Sequence, residues 1–185
     1  MVKMTVNDKD NTARALAIAM EEAARLDAWV VVASSSGETA SAALSAAREF
    51  GDAGRLVIVS SVFGSRGPGD NGMKEEYVRE MAEAGVRIVT AAHMLSGAER
   101  AMSTKFRGIY PVEVIAHTLR MFSQGVKVAV EIGAMALDAG AIPHGKPIVG
   151  VGGTGRGADT AVALTPAYTN DIFSTKIHEI LCKPY

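Results

Sequence analysis

Residues 34–39 read Ser-Ser-Ser-Gly-Glu-Thr and directly follow an apolar run. That order of small, hydroxylated side chains suits the binding of an anion. A buried strand feeding a short loop and then a helix leaves the first N–H groups of the helix unpaired. Those donors, with the positive end of the helix dipole, point at whatever occupies the loop. The hydroxyls of Ser34, Ser35, Ser36 and Thr39 add donors that carry no charge. The same residues also fit a plain cap and turn, with Gly37 inside it. Glu38 reads as a first-turn charge complementing the dipole, or as an acid–base group.

A second stretch, Gly153-Thr154-Gly155-Arg156-Gly157-Ala158-Asp159, follows another apolar run. It is not Gly-x-Gly-x-x-Gly opening a helix, and it lacks a Lys-Ser/Thr ending. It is therefore neither a dinucleotide fingerprint nor a P-loop. Its glycines permit close approach of backbone to a ligand. Arg156 suits a phosphate clamp, a contact with a planar ring, or plain solvation. Asp159 would accept from a ligand hydroxyl or order its own turn.

His93 stands just after an expected strand, as an acid–base group or as a partner of the backbone. Arg66, in a glycine-rich loop at 61–72, is a further candidate for the same site. His117 lies among apolar residues of an expected helix and reads as structural. His144 and His178 show no ligand spacing with Asp, Glu or Cys, so no metal site is expected. Gly-x-Ser-x-Gly is absent, which excludes a nucleophile elbow.

These residues must be held by strands and helices in alternation. Helical spacing predicts a helix at 11–27, with Ala13, Leu16, Ala17, Met20 and Ala24 inward. Strands are expected at 28–33, 55–60 and 86–90, buried on both faces where continuously apolar. Helices at 39–50 and 73–84 separate them. Residues 91–110 are irregular, with a short helix at 99–105. Pro111 opens a helix whose inward face is Val112, Ile115, Ala116, Leu119 and Phe122. Residues 126–139 read as a helix, with a strand as the rival because Val126, Val128, Val130 and Ile132 alternate. Strands follow at 147–152 and 160–164, then a helical turn at 169–173 and an edge strand at 175–181. Strand, helix, strand implies a parallel sheet with right-handed crossovers. Numbering those five main strands in order, the first and fourth become neighbours where the winding reverses. Ligands bind beyond the carboxyl ends of strands at such a switch point.

Composition narrows the classes. The chain has 185 residues, of which 48% are hydrophobic and 21% charged, and suits one domain over 1–185. A net charge of -1 argues against a nucleic-acid footprint, and 5% aromatics are too few for a stacking platform. The single Cys182 excludes an intrachain disulfide. Residues 1–10 contain no apolar signal region, and no stretch reaches the ~18 apolar residues of a membrane span. A cytoplasmic protein without membrane partners is expected.

Val-Val-Val-Ala-Ser-Ser-Ser-Gly-Glu-Thr-Ala resembles the phosphate-binding loop in the C-terminal α/β domain of pyruvate kinases. Gly-Gly-Thr-Gly-Arg-Gly-Ala-Asp-Thr-Ala and the ending Ile-His-Glu-Ile-Leu-Cys-Lys-Pro extend the likeness over nearly the whole chain. There it resembles a family of stand-alone prokaryotic pyruvate kinase α/β-domain proteins. The resemblance implies a three-layer α/β/α sandwich, mostly parallel, with strand order 3-2-1-4-5. It also implies flavin mononucleotide (FMN) in the cleft between the two loops. Residues 34–39 would hold the phosphate, while 153–160, through Thr160, and the His93 region would flank the rest. Lacking a catalytic barrel, the chain cannot by itself be a pyruvate kinase. Three readings stand: a binder of a phosphate-bearing small molecule, as flavoprotein or sensor; an enzyme on a phosphorylated metabolite using His93 or Glu38; and an oligomerisation domain, its Ala- and Gly-rich helices forming homo-oligomers.

Overall fold

The computed structural model of the chain describes residues 1–5, 8 and 10–185. Its elements in chain order are β1 (Val2–Met4), α1 (Asn11–Leu26), β2 (Trp29–Ala33), α2 (Glu38–Glu49), β3 (Leu56–Ser60), α3 (Glu75–Glu83) and β4 (Arg87–Thr90). There follow α4 (Gly97–Phe106), α5 (Pro111–Arg120), α6 (Gln124–Asp138), β5 (Ile148–Gly152), β6 (Thr160–Thr165) and β7 (Lys176–Pro184). Short 3-10 turns occupy Ala53–Arg55 and Thr169–Ser174.

One sheet runs in the order β4-β3-β2-β5-β6-β7-β1. The five expected strands are β2, β3, β4, β5 and β6, and their order 3-2-1-4-5 is the observed one, extended by β7 and β1. β2 pairs in parallel with both β3 and β5, and β3 in parallel with β4. β6 runs antiparallel to β5 and β7. The strands read as continuous apolar runs because both faces are covered. Val30 and Val32 of β2 join Leu16, Met20 and Leu44 on the α1–α2 face. Val31, between them, joins Ile132 and Met135 on the α6 face.

Residues 124–138 are helical, and the strand rival falls. Every position from Gly125 to Leu137 except Val128 is buried. Burial around the whole circumference erases the periodic signal that separates helix from strand. Ser123 caps the helix, its Oγ accepting from Val126 N at 3.1 Å. Gly150 lets the helix lie close on β5: a Cβ there would stand 2.9 Å from the Ala129 carbonyl oxygen.

Four expectations are corrected. The inward face of α1 is Ala15, Leu16, Ala19, Met20 and Ala23, while Ala13, Ala17 and Ala24 are exposed. In an alanine-rich helix two adjacent stripes are nearly equal in hydrophobicity, and packing selects one. The last strand is not at the edge, because Val2–Met4 pairs beyond it in parallel. A three-residue strand leaves no periodicity to read. Phe122 lies past the end of α5 and is 53% exposed, and His117 is also exposed rather than packed among apolar residues. Cys182 is buried on β7, where burial pushes its thiol up to about 11. It stays protonated at neutral pH and is no nucleophile there.

Candidate functional site

β2 and β5 are parallel neighbours, with Val32 opposite Val151, so both chains leave the sheet at the same edge. The loop after β2 is the serine stretch and the loop after β5 is the glycine stretch. They open into one cleft of about 590 Å³. That size lies within the usual range for small-molecule sites, ~300–1,000 Å³.

The serine loop is shaped by its own side chains and by the segment after β3. Ser34 is buried, and its Oγ accepts from Ala40 N at 3.1 Å. Capping from six residues back satisfies one helix donor and leaves others. Gly37, at the N-cap of α2, has φ 103° and offers no side chain to cap. Among the described residues, nothing accepts from the N–H of Gly37, Glu38 or Thr39. The Ser36 carbonyl accepts from Lys74 N at 3.2 Å, which ties the loop to the start of α3. Tyr77 of α3 packs against Gly37, where a Cβ would fall 2.5 Å from the Tyr77 Cβ.

Ser34, Ser35, Ser36, Glu38 and Thr39 all line the cleft, and Gly37 is not among its lining residues. From the other loop, Gly153, Gly155, Arg156 and Gly157 line it. Thr154, Asp159 and Thr160 do not. The Asp159 carboxylate accepts from Thr154 N at 3.1 Å and from Thr160 Oγ1 at 2.6 Å. Thr160 is fully buried, with Ser123 Oγ at 3.4 Å. Ala158 N donates to Thr12 Oγ1 at 3.0 Å, so the first turn of α1 supports the glycine loop. His93 lines the cleft and is exposed. His144 stacks on Tyr168, and His178 contacts Thr165, both outside the cleft lining.

Arg66 lines the cleft as anticipated, and sequence reasoning missed Lys74 beside it. With Arg156 they make three cations on the rim. Lys74 has Glu76 at 3.6 Å, whereas Arg66 and Arg156 have no ion-pair partner among the described residues. Ser60, the last residue of β3, is 2% exposed and lines the cleft. Its Oγ has no hydrogen-bond partner among the described residues. A buried hydroxyl left without a partner is costly unless a ligand or water meets it. The far wall comes from α6, through Gln124, Val128, Glu131 and Ile132. The only signal for Glu131 was a pair of charges, Lys127 and Glu131, in the apolar middle of α6.

A family model described as the pyruvate kinase alpha/beta domain matches residues 13–163 of the 185. The chain belongs to that family. The matched span takes in both loops of this pyruvate kinase α/β-domain protein and ends within β6. β1 and the whole of β7 therefore complete the sheet from outside the span. No helix of the described residues is long and apolar enough to cross a membrane.

Proposed function

We propose that this pyruvate kinase α/β-domain protein binds a phosphate-bearing small molecule in the cleft, with FMN as the ligand. The observation that carries the reading is the start of α2. Unpaired main-chain donors open there into a cleft rimmed by Arg66, Lys74 and Arg156. Helix N-terminal amides and unpaired guanidinium groups complement a phosphate. The unpartnered Ser60 hydroxyl supplies a further polar contact. Ala33, Val59, Val128 and Ile132 give the cleft an apolar wall against which a planar ring can lie.

A second reading, catalysis on a phosphorylated metabolite, draws on His93 and Glu38, which share the cleft with the anion nest formed by the unpaired amides at the start of α2. Purified protein is expected to carry flavin absorbance and to release FMN on denaturation, identified by mass spectrometry. Release of a different phosphomonoester would keep the nest and dismiss the flavin. Release of a ligand without an anionic group would dismiss the nest.

A further inference from the structure

The cleft wall holds a buried ion pair that anion binding does not explain. Lys127 and Glu131 stand one turn apart on α6, with side chains only 4% and 3% exposed. One carboxylate oxygen of Glu131 accepts from Lys127 Nζ, and the other accepts from Leu95 N at 2.9 Å. Burial pulls the Lys127 ammonium below its ordinary value, with Glu131 opposing that effect. Taking both charges out of water is costly, and well-packed apolar residues in their place are often at least as stable. Pinning Leu95 N requires only a neutral acceptor. The charge itself is left without a structural use.

Only one member of the pair meets the cleft. Gln124, Val128, Glu131 and Ile132 follow i, i+4, i+7, i+8 and share one face. All four line the cleft, and Lys127 does not. Lys127 therefore compensates Glu131 without itself lining the cleft. A carboxylate has about four acceptor positions, and the protein uses one on each oxygen. α2 packs on one face of the sheet and α6 on the other. The anion nest and Glu131 thus flank the strand ends from opposite sides.

We propose that Glu131 is a specificity-determining contact, accepting a hydrogen bond from an O–H or N–H on the part of the ligand that is not phosphate. The inference rests on the reading of the cleft as a phosphomonoester site. A carboxylate would repel the phosphate itself, so it selects ligands whose other end carries donors. In FMN those donors are the ribityl hydroxyls and the imide N–H.

The test uses the double variant K127M/E131Q, which removes both charges and keeps an amide oxygen for Leu95 N. Wild type and variant are titrated with FMN and, separately, with inorganic phosphate. FMN affinity is expected to fall about 30-fold, with phosphate affinity unchanged within about twofold and the melting temperature unchanged or raised. FMN methylated at the imide nitrogen separates the two donors. A variant effect that disappears with this ligand assigns the imide, and one that persists assigns a ribityl hydroxyl. Equal FMN affinity in the two proteins overturns the inference and leaves the anion nest standing. So does a wild type that binds phosphate but gains nothing from the flavin. A parallel loss of phosphate and FMN also overturns it, because the variant then acts on the whole cleft. A wild type that binds neither overturns the inference and the reading beneath it.

Discussion

Gly37→Ala is expected to lower stability by about 2–5 kcal/mol and to abolish phosphate binding. Two costs add at this position. With φ at 103°, any side chain is strained, by roughly 1–2 kcal/mol. The added methyl would also enter the Tyr77 side chain, whose Cβ and Cγ stand 2.5 Å from the Cβ position. Overpacking of this kind costs about 1–3 kcal/mol. Tyr77 has little room to retreat, because α3 is tied to the loop through Lys74 N and the Ser36 carbonyl. Gly51→Ala is the comparison. Gly51 has φ 79° but open space around its Cβ position, so only the backbone cost applies, about 1 kcal/mol. Urea unfolding of both variants measures the difference. If the two lose the same stability, the Tyr77 contact is not what holds the loop.

Ser36→Glu is expected to weaken phosphate binding at least about 100-fold while changing stability by less than about 1 kcal/mol. Ser36 lines the cleft beside the unpaired amides of α2. A carboxylate there would occupy the donors intended for the ligand and repel its charge. A hundredfold loss corresponds to about 2.7 kcal/mol. Ser36→Ala removes one uncharged hydroxyl and is expected to cost no more than about tenfold. Calorimetric titration with inorganic phosphate reads both variants. Wild-type affinity in Ser36→Glu would place the anion away from this loop.

The parts of the fold that were legible in the sequence are those where one force dominates. The runs 30–33, 56–59 and 148–151 are apolar at consecutive positions, short, and bounded by turn residues, as a strand covered on both faces requires. Their order followed from short, right-handed connections. The serine loop was legible because its chemistry lies within one short segment. What was not legible depends on contacts distant in sequence. Ser34 spends its hydroxyl on Ala40 N, which the sequence alone does not separate from ligand contact. Lys74 reaches the cleft only because the segment after β3 folds back over the serine loop. Glu131 is joined to Leu95, far along the chain, and to Lys127 through a burial that no local pattern announces. Val2–Met4 forms a strand because β7 offers it an edge, not through any propensity of three residues.

In the proposed site, main-chain amides at the start of α2 hold the anion. An amide ¹H–¹⁵N titration of the wild-type protein with inorganic phosphate, read residue by residue, locates the anion. Saturable shifts are expected, largest at Gly37, Glu38 and Thr39, with smaller ones in the glycine loop at 153–157. Saturable shifts centred on another part of the molecule, with these three amides unmoved, would contradict that site.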